Sequence, residues 1–376
     1  MPLKRNDSVS APIDMPNNEP PYPAIYFAAD SLRRRWPELI QTPEAPVELG
    51  PELGPRLFQN ENIWVVTTYL RLKKRGANVK IIDCLQPNAI NVVSERQLLR
   101  SDPAGRAFVV AAQGDRGKLV WADHTLAQSP VMAKAARTSL IDMWPQPGLL
   151  MRDKCRGTEI RRLAYLGYFS NLGEAFRSDR FRTSLRNLGV EFVLREEPNT
   201  WHDYSDVDLC LAVRDLPWHW IKTKPSTKLV HAWLTGAVGL LGPEPSYQHW
   251  GKDGENYFEV RTPEDVLAVV KRLKDNPLLY SEAQQRGHDM GKAHNEEAVC
   301  RQWEHLLWGP IAEQFKKWQS ASPATWRHRA VRRRVQWITA PIREKWFYLR
   351  ARGWRKGLAY GIGRRLGIDY WGSSRS

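Results

Sequence analysis

The sequence predicts an α/β protein: two parallel-sheet domains facing a cleft, followed by a basic helical tail. Three observations predict it. Short apolar runs of strand length alternate with helical patterns from about residue 24 to residue 287, the pattern of parallel strands joined by crossover helices. A linker rich in Pro and Gly, Met143–Lys154, divides that alternation into two units. The charge is divided as well. Residues 316–376 hold 16 Lys/Arg against 2 Asp/Glu, whereas residues 1–315 hold 40 against 39, so nearly all of the formal +15 belongs to the tail.

A chain of 376 residues has room for two domains and an extension. Its 42% hydrophobic and 26% charged residues exclude a wholly disordered protein. No apolar run approaches the roughly 20 residues needed to span a bilayer. The opening M-P-L-K-R-N-D-S-V-S-A-P lacks the apolar segment of a secretory signal. Cys84, Cys155, Cys210 and Cys300 are far apart, with no C-x-x-C pair. That spacing argues against structural zinc and a disulfide framework, and for a reducing, cytoplasmic compartment.

Residues 1–23 are polar and rich in Pro and Asn, and read as a disordered N-terminal segment. The first domain is expected over 24–155, the second over 156–315 and the tail over 316–376. In the first domain, Ala24–Ala29 is the opening strand. A helix from about Asn62 to Arg75 ends in three basic residues and Gly76, a charge complement and a stop. The strand Asn78–Asp83 follows, then apolar runs at Ala89–Val93, Ala107–Ala112 and Leu119–Ala122.

The second domain opens with the strand Leu163–Phe169, the loop Ser170–Gly173 and a helix over Glu174–Leu188, stopped by Gly189. Strands are expected at Val190–Arg195, Val207–Val213 and Val238–Leu241, with a short helix Ser226–Thr235 before the last. Thr262 can cap a helix that has Pro263 at its first position and Glu264 and Asp265 in its first turn.

Ligands bind in open parallel sheets beyond the C-terminal ends of the strands, so those ends hold the candidates. In K-P-S-T-K, Pro225 places a helix start at Lys224–Ser226. Free N–H groups, the Ser226 and Thr227 hydroxyls, and the Lys224 and Lys228 ammonium groups would form a pyrophosphate cradle. The alternative is a pair of solvated lysines on a surface helix. Ser170 and Asn171 stand in a strand-to-helix loop suited to phosphate or sugar, although it is not a G-x-G-x-x-G or Walker loop. Glu244, between two prolines, either accepts sugar hydroxyls or solvates a turn.

In the first domain, Asp30, Asp83, Gln113, Asp115, Asp123 and His124 fall at candidate strand ends. Asp123 and His124 are the best pair for a catalytic base, the alternative being a surface turn. No metal-spaced cluster and no hydrolase signature is present, so no metal is expected.

Residues Lys224–Val260 resemble the donor domain of GT-B glycosyltransferases. The likeness is carried by K-P-S-T-K-L-V-H-A-W-L-T-G-A-V-G-L-L-G-P-E, then G-K-D-G-E-N-Y-F-E-V, then the helix opened by T-P-E-D. Y-L-R-L-K-K-R-G-A-N-V-K-I-I-D is more loosely similar to that family's acceptor domain. The resemblance implies two Rossmann-like domains of GT-B type. It also implies transfer of a sugar, of hexosyltransferase class, from a nucleotide-sugar substrate to a glycan, lipid or other hydroxyl acceptor, with no obligatory metal or cofactor. Carried over by position, the donor-site residues are Ser170, Asn171, Lys224, Ser226, Lys228, His231 and Glu244. His231 stands where retaining members carry a glutamate. The alternative function is a non-catalytic GT-B-like binding protein that associates with membrane or nucleic acid through its basic tail.

In the tail, Val335, Trp337, Ile338, Ile342, Trp346, Phe347 and Leu349 alternate with arginines and lysines. This suits a helix lying on an anionic membrane, peripheral on the inner face of the plasma membrane. Packing of the tryptophans onto the body and binding of nucleic acid are the competing readings of 318–376.

Overall fold

The computed structural model describes residues 23–29, 31–41, 62–95, 106–114 and 121–365. The N-terminal segment expected to be disordered lies, up to residue 22, outside these residues, as do Asp30 and Asp115.

Two parallel sheets organise the chain. The first is built from β1 (Ile25–Ala28), β2 (Val79–Ile82), β3 (Ile90–Ser94), β4 (Phe108–Gln113), β5 (His124–Ala127) and β6 (Thr138–Leu140), in the order β2-β1-β3-β4-β5-β6. β3, β4 and β5 are buried along their whole length, which is why β3 and β4 read as apolar runs rather than alternating ones; β5, H-T-L-A, begins two residues after the expected run Leu119–Ala122. The second sheet holds β7 (Arg162–Leu166), β8 (Glu191–Arg195), β9 (Leu209–Ala212), β10 (Val238–Leu241) and β11 (Phe258–Glu259), in the order β11-β10-β9-β7-β8. Every pairing in both sheets is parallel. The α/β class and the two Rossmann-like units are therefore as the resemblance implies.

The helix expected over Asn62–Arg75 is a π-helical turn, Asn62–Thr67, running into α1 (Thr68–Lys74). The helix expected over Glu174–Leu188 is broken. A 3-10 turn covers Glu174–Arg177, and Ser178 then accepts the Phe181 N–H and caps α2 (Asp179–Asn187). Further on come α3 (Trp218–Ile221), α4 (Thr227–Thr235), α5 (Pro245–Trp250), α6 (Pro263–Asp275) and α7 (Pro277–Gly291). α6 has the expected start: Thr262 and Asp265 bond each other's backbone N–H groups in a capping box.

The last helices, α8 (Glu296–Leu306), α9 (Ala312–Gln319) and α10 (Pro323–Arg365), depart from the expected boundaries. Val299, Trp303, Leu307, Ile311, Phe315 and Trp318 belong to the same buried cluster as Phe27, Trp64 and Phe108 of the first domain. Trp303 lies 6.4 Å from Phe27 and 6.3 Å from Trp64, ring centre to ring centre. Phe108 takes the edges of Phe315 and Trp318 at 5.6 and 5.8 Å. The chain thus crosses back, and residues expected to close the second domain complete the core of the first. Ion pairs from Arg71 to Glu296 and from Arg75 to Glu297 and Glu304 hold the return in place.

One face of the first sheet carries that cluster. The opposite face packs Ala28, Val93, Val109, Ala111 and Trp121, and Trp337 of α10 lies against it. The packing alternative for the tail therefore holds for its beginning, where Trp318, Trp326 and Trp337 pack on the body.

Candidate functional site

The C-terminal edge of the second sheet is where the sequence-derived donor residues can meet. After β7, Ser170 and Asn171 lie in a 3-10 turn, exposed and half-buried respectively. The Gly173 N–H donates to the Val213 carbonyl (2.9 Å), which ties this loop to the end of β9. The next residue, Arg214, reaches across to the end of β10. Its guanidinium pairs with the Glu244 carboxylate and donates to the Tyr247 hydroxyl (3.1 Å). Glu244 is 2% exposed. It sits at the expected edge, but its neighbour is a half-buried arginine that the sequence reading did not select. Burial pushes the Tyr165 phenol on β7 up to about 12, while Arg214 and Arg177 pull the other way.

α4 begins beside this edge. Ser226 is its N-cap residue, and the first helical bond runs from the Val230 N–H to the Ser226 carbonyl (3.0 Å). The N–H groups of Thr227, Lys228 and Leu229 precede that bond, the ordinary anion-attracting end of a helix. Lys228 is half-buried, with its ammonium 5.7 Å from the Trp201 ring centre. Its Nζ has no hydrogen bond or ion pair among the described residues. Burial pulls its pKa from 10.5 down to about 8, Arg214 adds to the fall, and Cys210 opposes it. The protein therefore holds an uncompensated cation next to a helix start and two strand ends.

The other expected residues are placed differently. Lys224 is turned onto Trp220, with Nζ 5.3 Å from the ring centre, and its carbonyl accepts from Ser246. Ser226 is buried and makes no side-chain capping bond. Thr227 donates to the Met143 sulfur (3.1 Å). His231 is buried, and its Nε2 accepts the Gln146 N–H (3.2 Å), so it clamps the interdomain linker to α4. Burial, with Lys228 adding to it, lowers its pKa to about 3 and keeps it neutral. The linker is clamped further by the Arg152 N–H on the Thr235 carbonyl (2.8 Å).

Asp123 and His124 are a correction. β5 starts at His124, so the pair stands at the N-terminal edge of the first sheet, opposite the edge where ligands bind. Both have structural partners. Asp123 accepts the Val109 N–H (2.8 Å) and pairs with buried Arg333 of α10. His124 bonds Gln314 (3.1 Å) and Ser139 (3.0 Å).

At the correct edge of the first sheet, three carboxylates end strands. Asp83 after β2 pairs with Arg33. Asp142 after β6 is bonded by His294 and Gln302 (both 2.7 Å). Glu95 after β3 is 1% exposed and accepts the Gly114 N–H with one oxygen (3.0 Å). The sequence reading passed over Glu95, although an acid directly after I-N-V-V-S is a visible signal. The same edge meets the second domain: Ser129 donates to the Lys222 carbonyl, and Gln128 to that of Thr223 (3.3 Å), immediately before α4. Among the described residues no group of three or more His, Cys, Asp or Glu is placed to hold a metal ion.

The chain matches no family model and no curated protein. Solved structures similar to it include sucrose-phosphate synthase from Thermosynechococcus elongatus, with a TM-score of 0.49 and 13% identity over 77% of this chain and 100% of that one. HepE of Anabaena, in complex with UDP and glucose, has a TM-score of 0.43 and 11% identity over 76% and 99%. TarM has a TM-score of 0.40 and 8% identity over 64% and 57%.

Proposed function

We propose that the chain is a GT-B glycosyltransferase, of hexosyltransferase class, that moves a sugar from a nucleotide-sugar to a hydroxyl acceptor. The observation that carries this is Lys228: a half-buried ammonium with a depressed pKa, at a helix start on the ligand edge of a parallel sheet. A cation held in that way lacks only an anion. A diphosphate placed there would restore the lost solvation, and the positive site would stabilise the nucleoside diphosphate as it departs, with no metal required. Arg214 sits behind it, held by Glu244. Ser170 and Asn171 border the same edge and would meet the nucleotide or its sugar.

On the acceptor side, Glu95 is the carboxylate proposed to take the proton from the attacking hydroxyl. The competing reading is a non-catalytic binding protein that associates with membrane or nucleic acid through its basic tail.

Two measurements test the proposal. Thermal stabilisation by a panel of nucleoside diphosphates reads the donor site; saturation at a hundredfold over Kd contributes about 2.7 kcal/mol. Glu95→Gln should then keep nucleotide binding and lose turnover on whichever nucleotide-sugar is consumed. No stabilisation by any nucleoside diphosphate would sink the donor assignment. Full turnover by Glu95→Gln would remove Glu95 from the chemistry.

A further inference from the structure

α10 has two opposite faces. On one, the Arg333 guanidinium is buried between Asp123 and the Ala107 carbonyl (3.1 Å), and Trp337 packs on the sheet. On the other, Val331, Val335, Ile338, Ile342 and Trp346 are exposed, by 65, 55, 60, 59 and 52%. Their spacing of four, three, four and four residues places them in one stripe about 80° wide on a helix of 3.6 residues per turn. Arg327 and Arg334 fall on one flank of the stripe, and Arg332 and Arg343 on the other.

Charge selects the occupant. A second copy of the helix would bring arginine against arginine on both flanks. A nucleic acid would satisfy the arginines and leave the aliphatic stripe in water. An anionic bilayer surface takes both, with the apolar side chains at the acyl boundary and the guanidinium groups among the headgroups. No described helix is long and apolar enough to cross a membrane, so the arrangement suits a helix lying on one.

The direction of α10 adds a consequence. At Arg333 it lies over the N-terminal edge of the first sheet, where Ala107 and Asp123 precede β4 and β5. It also touches α3 of the second domain, which carries Trp218, 60% exposed, and leads into the Lys222–Thr223 seam. The helix therefore borders both the closed edge of the first sheet and the second-domain segment that leads into the interdomain seam.

We infer that the α10 stripe docks the protein on an anionic bilayer with the cleft mouth beside it, and that the acceptor hydroxyl is carried by a membrane-anchored amphiphile. The second half of the inference rests on the transferase reading; the docking does not.

The test uses the full chain with extruded phosphatidylcholine vesicles, without or with about 30% phosphatidylglycerol, in flotation at 0.1 and 1 M salt. The expected result is at least about tenfold more protein on the anionic vesicles at low salt, reduced at high salt. The double variant Val335→Glu/Ile338→Glu changes only exposed positions. It should lose that binding about tenfold or more while keeping its Tm and its calorimetric affinity for nucleoside diphosphate. Equal flotation of the variant, indifference of the native chain to phosphatidylglycerol, or preferential retention by RNA would overturn docking. For the acceptor, a panel of labelled nucleotide-sugars is offered with a total lipid extract or with water-soluble oligosaccharides. Label entering butanol supports the inference, and label only in soluble glycan overturns it. No transfer to either defeats the transferase reading and the acceptor class together, leaving docking decided by flotation.

Discussion

Lys228→Met separates a ligand-binding lysine from a structural one, because the two roles predict opposite signs. A fall in pKa from 10.5 to about 8 corresponds to about 3 kcal/mol against the charged form in the folded state. Partial solvent access reduces what its removal can return, to about 1–2 kcal/mol. Methionine keeps most of the stem's contact with Trp201 and discards the charge, so the variant should be as stable as the native protein or more so. The linkage has a definite direction. Between pH 8 and 10.5 the unfolded chain binds the proton and the folded chain does not, so this group's contribution to stability rises with pH across that window. The variant should lack that rise.

Nucleotide binding should move the other way. A charge-assisted contact to a diphosphate contributes about 1.5–3 kcal/mol, so Lys228→Met should weaken binding about 10- to 100-fold. In the native protein, affinity should fall as the pH rises through about 8, because the bound anion requires the ammonium form. The terminal phosphate ionises near pH 6, so its own charge is constant over that range. Calorimetric titration of a nucleoside diphosphate at pH 7 and pH 9, with thermal denaturation of both proteins, reads every term. Undiminished affinity in the variant, or a Tm lowered by several degrees with binding intact, would make Lys228 a structural residue and refute the reasoning.

Asp208→Asn should cost about 3–5 kcal/mol in denaturant titration, since the fully buried carboxylate accepts from Arg152, Arg156 and the Arg161 and Arg162 N–H groups. Burial pushes that carboxyl up, but its partners outweigh burial and hold it below its ordinary value. Its stabilisation should therefore be present above the unfolded pKa of about 3.9 and be lost as pH falls through the lower folded value, visible as a loss of Asp208-dependent stability in acid. Glu244→Gln should lower both Tm and nucleotide affinity, because it strands Arg214; normal Tm with lost activity would instead mark Glu244 as a direct sugar contact. Deletion from residue 316 removes buried Trp318 and the partner of Asp123, and should give protein unfolded by circular dichroism; a cooperative native transition in that truncation would show that the first domain does not need these contacts.

The sheets were legible because parallel strands buried on both faces need unbroken apolar runs, and β3, β4, β9 and β10 consist of little else. The start of α4 was legible from Pro225 and its lysines. Side-chain direction was not. Lys224 and Lys228 look equivalent in K-P-S-T-K, yet one lies on Trp220 and the other on Trp201. Arg214 was passed over because an arginine after L-C-L-A-V reads as the solvated end of a strand. Only the folded chain brings Glu244, thirty residues later, against it.

Asp123 shows how one strand boundary decides a functional reading. With the strand taken as Leu119–Ala122, Asp123 and His124 follow its end and face the cleft. With β5 beginning at His124, the same two residues precede it and face away. Nothing local distinguishes the two registers. The deciding partner is Arg333, one of three consecutive arginines in a tail whose composition suggests solvent or membrane along its whole length. Arg333 is buried against Asp123, while Arg332 and Arg334, rotated by about 100° to either side on the helix, remain outside. The carboxylate that resembled a catalytic base is thus the counter-charge that orients α10, and that orientation turns the aliphatic stripe away from the body.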